Sequence, residues 1–345
     1  MKRKYIILIV AVAVLGTAAS LFLGRWYNDN RRSNFTEKYV LFVRPDMPAA
    51  EVLDSLISGA GAIRPRSLER SFKEVEAEFN MKPGRYVIEP SFTSIYAARM
   101  LVNGWQTPGK LTLSGTIRTK ERLAQKISAQ MMVDSASIAD ALASGEFLEP
   151  YGFTPENVFA MILPDTYQMY WTASVKDIFD RMKKEYDIFW NEERLAKAKA
   201  QKLTPMQVSV LASIVSGETL KAFEYPRIAG VYLNRYRKGM RLQADPTVAF
   251  CFNYELDRIL KKHLQVDSPY NTYKYAGLPP APINVPPKAC LEAVLSPESH
   301  KYIYFCASPA FDGTHRFAVS YNDHLKNARE FQRALTKRNK EKAAK

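Results

Sequence analysis

The 345-residue chain is 47% hydrophobic, apolar and long enough for one large domain or two modest ones with a real core, which excludes disorder over most of its length. Its 49 Lys and Arg against 35 Asp and Glu leave a formal net charge of +14. Beyond ordinary solubility, that excess points to an anionic partner surface: nucleic acid, lipid head groups or an acidic polymer.

At the N-terminus, Lys2, Arg3 and Lys4 precede an uncharged run from Tyr5 to Leu23, followed by Arg25, Trp26 and Tyr27. As a helix the run spans roughly 28 Å, close to the thickness of a bilayer core. The basic flank predicts a cytoplasmic N-terminus, and the aromatic pair suits the far interface. Residues 1–24 are therefore expected to be a cytoplasmic flank and transmembrane helix in the inner membrane, with the rest of the chain periplasmic. A cleaved signal peptide is the competing reading, because Ala18, Ala19 and Ser20 are small; the apolar run continues past them through Leu23, which favours an uncleaved anchor. Export under either reading counts against nucleic acid. No zinc-finger spacing, RNP-like motif or Gly-rich phosphate loop argues back.

Residues 25–37 read as a tether. Next come strand-like KYVLFV (38–43), helix-like AAEVLDSLIS (49–58) and SLERSFKEVEAEF (67–79), and strand-like GRYVIEP (84–90), a β-α-α-β unit. Helical TSIYAARMLVNG (93–104), strand KLTLSG (110–115) and helical TKERLAQKISAQMM (119–132) follow in an α+β manner, with a domain boundary expected between Gly152 and Glu156. The β-α-α-β unit resembles a LysM module, which binds the N-acetylated sugars of peptidoglycan and chitin, although its helical part is longer. It reads equally as a glycan-positioning platform or as the structural half of a larger domain. The expected fold class is thus α+β: an N-terminal transmembrane helix, a LysM-like subdomain with connecting α+β segments over 38–152, a mixed α+β domain over 153–335, and a basic tail, TKRNKEKAAK, over 336–345.

Within the second part, KLTPMQVSVLASIVSGETL (202–220) has Thr204 as a helix N-cap and Pro205 at the first helical position. Leu211, Ile214 and Val215 mark a buried face. Glu218 follows them by seven, four and three positions, so it projects from the same face, where Gly217 loosens the last turn. Desolvation there raises a carboxyl pKa, as does a helix C-terminus, and a general acid near neutral pH needs that shift. The competing reading is an ion pair with Lys221 or Arg227.

Cys251, Cys290 and Cys306 are odd in number and lack CxxC pairing, and His263, His300, His315 and His324 lack HExxH spacing. Neither a disulfide framework nor a metal site is indicated, one bridge staying open, and no cofactor is expected.

Five ordered blocks carry a family resemblance: LPDTYQMY (163–170), LASIVSGET (211–219), RIAGVYLNRYRKGMRLQADPTV (227–248), SPYNTYKYAGLPPAPINVP (268–286) and YIYFCASPAFDGTHRFAVSYNDH (302–324). The chain resembles the endolytic murein transglycosylases of the YceG-like type. The resemblance implies a single-pass membrane protein with a LysM-like part and an α+β catalytic domain. It implies cleavage of the MurNAc–GlcNAc bond in nascent peptidoglycan strands, ending their elongation, with synthases of the penicillin-binding class as partners. The family's catalytic glutamate falls on Glu218, next to Thr219; many members carry an acidic residue where this chain has Ser216.

One carboxylate suffices for a lytic transglycosylase, because no water needs activation, whereas ordinary glycoside hydrolysis uses two. Further candidates for the cleft are Gln243 and Asp245, polar groups in a turn-rich stretch, with an Asx-turn as the alternative role of Asp245. Tyr270, Asn271 and Tyr273 of YNTY suit sugar stacking and amide bonding, with core packing as the rival account. Pro164 to Tyr167 is expected to form a tight turn facing the site, with Asp165 and Tyr167 as contacts, and GLPPAPINVPP (277–287) a rigid wall. Two other readings stay open: a two-carboxylate muramidase using Glu218 with Asp245 or Asp165, and a non-enzymatic peptidoglycan-binding scaffold.

Overall fold

The computed structural model describes residues 2–343; Met1 of the expected cytoplasmic flank and Ala344 and Lys345 of the basic tail lie outside the described residues. The chain divides into two compact units. The first comprises residues up to Leu111, with 130–132 and 168–173; the second comprises 112–129, 133–167 and the chain from Ser174 onward.

The first unit begins with α1 (Lys2–Asn30), which is long and apolar enough to cross a membrane: its apolar stretch is wholly exposed, and only Asp29 near its C-terminal end is buried among its described side chains. There follow β1 (Tyr39–Val43), α2 (Ala49–Ser58), α3 (Pro65–Glu74), the single turn α4 (Ala77–Asn80), β2 (Gly84–Ile88), α5 (Ser94–Asn103) and β3 (Gly109–Thr112), whose last residue belongs to the second unit. β1 and β2 pair antiparallel, Tyr39 opposite Ile88 and Val43 opposite Gly84. The two-residue period of a strand sends Leu41, Val43, Tyr86 and Ile88 inward. They meet Val52 and Leu56 of α2, Leu68 and Phe72 of α3, and Ala97 and Leu101 of α5 in one core. The β-α-α-β order expected from the sequence is present, with α4 added before β2.

Within the mostly polar stretch 29–36, Asp29, Asn34 and Phe35 are buried. The Asp29 carboxylate accepts from Arg70 Nε (2.9 Å) and Nη2 (2.6 Å) and from Ser67 Oγ (2.5 Å). Asn34 is buried, donating its backbone N–H to Phe92 O (2.8 Å) and accepting from Arg64 N (2.8 Å), and Phe35 joins the core.

The second unit carries α6 (Lys120–Ser128), α7 (Ser135–Ala143), the turn α8 (Gly145–Leu148), β4 (Thr166–Met169, its last two residues in the first unit), α9 (Val175–Phe189), α10 (Glu192–Ala200), α11 (Pro205–Glu218), α12 (Tyr225–Arg237), α13 (Asp245–Cys251), α14 (Lys288–Leu295), β5 (Tyr304–Ala307), β6 (His315–Ala318) and α15 (Tyr321–Ala343). α11 is its central element. A capping box starts it: Gln207 N donates to Thr204 Oγ1 (3.2 Å) and Thr204 N to Gln207 Oε1 (2.9 Å).

The sequence pattern marked one buried face on α11. Instead every residue from Val208 to Val215 is buried, because α10, α12, α13 and α14 pack around it. Two buried serines interrupt the apolar run, and Ser213 uses its polarity: its Oγ donates to Val210 O (2.7 Å) and accepts from Ile283 N (3.0 Å). That bond fixes the proline-rich segment 279–287 along the helix, where it has neither helix nor strand structure. β5 and β6 form an antiparallel hairpin, Tyr304 opposite Ala318 and Ala307 opposite His315, with α15 packed on it.

Candidate active site

Glu218 is the last residue of α11, and Thr219 follows in extended conformation (φ −148°) as its C-cap. The carboxyl finds neither Lys221 nor Arg227 as an ion-pair partner; Arg227 pairs with Glu298 (2.9 Å). Its hydrogen bond comes from Tyr232 of α12, whose buried phenol donates to Glu218 Oε1. Burial pushes the Glu218 pKa up to about 7, a shift opposed by the Tyr232 bond, reinforced by the negative charge of Asp245 and opposed again by Arg235. A carboxylic acid with that pKa is about half protonated at neutral pH, whereas an ordinary glutamic acid is almost wholly ionised there.

The acid opens on a cavity of about 240 Å³, whose wall also includes Thr116, Arg118, Ser216, Asp245 and Asn284. Gly217 makes the close approach of α13 feasible: a Cβ there would lie 2.6 Å from Pro246 Cβ. Asp245, the first residue of α13, accepts from Tyr273 OH (2.5 Å). Asn284, from the proline-rich wall, donates through Nδ2 to Ser213 O (2.8 Å), and its Oδ1 lies 3.0 Å from Ser216 Oγ. Ser216 is thus a hydroxyl bonded to the wall.

Behind the acid, the segment after α11 is fastened by a buried carboxylate. Glu224 is 2% exposed, and it accepts from His315 N (2.9 Å) and His315 Nδ1 (2.9 Å) of β6 and from Thr219 Oγ1 (3.3 Å). Thr219 Oγ1 in turn accepts from Lys221 N (3.0 Å). Thr219 therefore holds the turn that carries Glu218 and does not line the cavity.

The other residues singled out in the sequence divide into three groups. Asp245 and Tyr273 are at the acid, one lining the cavity and the other bonded to it. Gln243 sits beside them at φ +51°, its side chain accepting from Arg235 Nη1 (3.3 Å), and Tyr270 packs on Phe250 with 4.6 Å between ring centroids, lining an adjoining cavity. Asn271, Asp165 and Tyr167 do not line the cavity at Glu218. Asn271 is fully buried, its amide donating to Leu264 O (3.0 Å) and Val266 O (2.8 Å). Asp165 pairs with Lys288, and the buried Tyr167 donates to Leu163 O. Cys251, Cys290 and Cys306 are free thiols, and among the described residues no group of three or more His, Cys, Asp or Glu is gathered as for a metal ion.

The sequence profile of the YceG-like family matches residues 41–330, a span that takes in the acid, the hairpin and all but the first residues of the β-α-α-β unit. The chain belongs to the YceG-like family. Among curated proteins, the endolytic murein transglycosylase of Bacillus subtilis is 35% identical over 154 residues, 45% of this chain and 42% of that protein. That of Streptococcus pneumoniae (strain R6) is 26% identical over 178 residues, 49% of this chain and 31% of the relative. The chain thus spans less than half the length of these curated relatives. The crystal structure of a putative yceG-like protein from Listeria monocytogenes is 26% identical with a TM-score of 0.57, covering 84% of this chain and 98% of that one.

In this YceG-like chain several residues at the site escaped sequence reasoning, Tyr232, Arg235 and Glu224 among them. Tyr232 and Arg235 lie inside the RIAGVYLNRYR block, one helical turn apart, and both face inward. Arg235 is 9% exposed and bonds Ile303 O (2.6 Å) and Leu242 O (2.7 Å), tying α12 to the loop before Asp245. A tyrosine and an arginine on the otherwise apolar buried face of α12 were the available signal. Glu224, immediately before the first residue of α12, gave none.

Proposed function

We propose that this YceG-like chain is a membrane-anchored, endolytic lytic transglycosylase of peptidoglycan, a lyase that uses Glu218 as its single acid and base. The observation that carries the reading is the Glu218 carboxyl, desolvated to a pKa of about 7 at the edge of an open cavity. With Tyr232 donating to Oε1, Oε2 is the oxygen left to present the proton. Glu218 protonates the glycosidic oxygen between MurNAc and GlcNAc, and the C1–O bond breaks. The resulting carboxylate, held by the Tyr232 hydroxyl, takes the proton of the C6 hydroxyl of the same MurNAc. That oxygen closes onto C1, leaving a 1,6-anhydro end and a restored acid.

Asp245 shares the cavity, but its Oδ1 is engaged by Tyr273; the role we assign it is to raise the pKa of Glu218 and to hold sugar polar groups with Gln243, Tyr270 and Tyr273. Under this reading α1 spans the cytoplasmic membrane with its basic end inside, residues 38–152 include a LysM-like glycan-positioning part, and 153–335 form the catalytic domain. A groove of about 390 Å³ between the start of α2 and the end of α3, edged by the exposed Phe79, supports glycan binding by the first unit. Nascent strands are the substrate, and peptidoglycan synthases the functional partners.

Mass spectrometry of digested sacculi tests the proposal. Anhydro-ended fragments from wild-type protein and none from Glu218→Gln are expected. Hydrated ends, lost equally in Glu218→Gln and Asp245→Asn, would establish a two-carboxylate muramidase, and binding without soluble fragments a scaffold.

A further inference from the structure

Arg118 and Tyr254 form part of the wall at Glu218, and the same two residues line a second cavity of about 510 Å³, more than twice the volume of the first. Both cavities lie within the second unit. The lining of the larger one combines aromatic faces with charges of both signs: Phe250 packed on Tyr270, Lys120, and the carboxylates Glu156 and Glu255. The Arg118 guanidinium carbon lies 4.9 Å from the centroid of the Tyr254 ring, and that ring is held in turn by its hydroxyl donating to Ile283 O (2.5 Å). Among the described residues Arg118 makes no ion pair, although acidic side chains line the same cavity. A guanidinium stacked on a ring instead of paired keeps its fork of N–H donors free for a carboxylate.

The glycan backbone of peptidoglycan offers no charge for these groups to meet. Its polar groups are hydroxyls and acetamides, and the lactyl carboxyl is consumed in an amide. The short peptide borne on that lactyl group is where carboxylates and an ammonium are found. We propose that the second cavity receives this peptide branch, with a peptide carboxylate on Arg118, and that the shared wall of Arg118 and Tyr254 sets the branch-bearing sugar in register with Glu218. The proposal rests on the peptidoglycan reading above and adds the part of the substrate that the enzyme recognises beyond the sugar.

The test uses the full chain in detergent, carrying Glu218→Gln so that bound strands stay intact. Titration calorimetry compares GlcNAc–MurNAc oligosaccharides bearing peptides with the same oligosaccharides stripped by an amidase, the lactyl carboxyls so freed being capped as methyl amides to keep the glycan uncharged. Peptide-bearing strands should bind about 10-fold more tightly or better, the scale of one hydrogen bond to a charged group, and rising salt should narrow the gap. Adding Arg118→Ala should bring the affinity ratio close to one, and Arg118→Lys should keep part of it. Equal affinity for both strands, a preference that survives Arg118→Ala, or no binding of either would overturn the proposal. Digestion of the peptide-bearing strands by wild-type protein is read separately. A peptide preference dependent on Arg118, accompanied by no anhydro ends, would remove the lytic reading and leave the peptide cavity standing.

Discussion

Glu218 was legible because its spacing from Leu211, Ile214 and Val215 is local, and local geometry follows from the period of a helix. Its partner was not, since Tyr232 reaches it from another helix. Glu218→Gln keeps the shape of the side chain but cannot deliver a proton, so turnover should fall at least about 10²-fold, the scale of acid–base catalysis. Asp245→Asn should be milder, as measured by release of anhydro-muropeptides. Because the acid must be protonated, activity should decline as pH rises through about 7. Tyr232→Phe removes an influence that lowers the Glu218 pKa; the basic limb of the pH–rate profile should move upward while kcat drops, and an unmoved limb would sever that link. Stability follows the same group. A folded-state pKa raised above its unfolded value contributes stability that is full below about 4.5 and lost as pH rises through about 7. Glu218→Gln should flatten the dependence of Tm on pH across that window.

At the scale of elements, the site is the meeting of two helix ends. α11 delivers the acid at its C-terminus and α13 delivers Asp245 at its N-terminus, and the absent side chain of Gly217 lets them touch. Gly217→Ala would place a methyl 2.6 Å from Pro246, an overpacking worth about 1–3 kcal/mol. Denaturant titration should register that loss, and activity should fall further than stability, because α13 moves with Asp245. The start of α11 could be read in TPMQ, since capping is a matter of four consecutive residues. Its full burial could not, because that depends on α10, α12, α13 and α14 arriving from elsewhere in the chain. The role of the proline-rich wall was legible only as stiffness. Its attachment to Ser213 joins positions 70 apart. Asn271 shows the reverse case: an amide suited by composition to a sugar is engaged by backbone carbonyls of its own loop.

For the whole molecule, two predictions concern how catalysis is delivered to its substrate. Deleting residues 38–90 should weaken sacculus binding while sparing some cleavage of short, concentrated strands; unchanged binding by the folded deletion variant would return the β-α-α-β unit to a purely structural role. Protease added to cells after outer-membrane permeabilisation should degrade the catalytic region, and the mature chain should retain residues 1–24; a new N-terminus near Ser20 would overturn the anchor. The sequence by itself determined what depends on neighbours along the chain: the apolar length of α1, the strand and helix periods, the cap of α11 and the direction of Glu218 from its helix. Only the tertiary structure decided what that carboxyl meets. Tyr232, Arg235 and Asp245 set its proton affinity from other elements, and Glu224 ties its turn to His315 across 91 positions. A pKa is a property of the space around a group, and that space is assembled from residues whose proximity no spacing along the chain encodes.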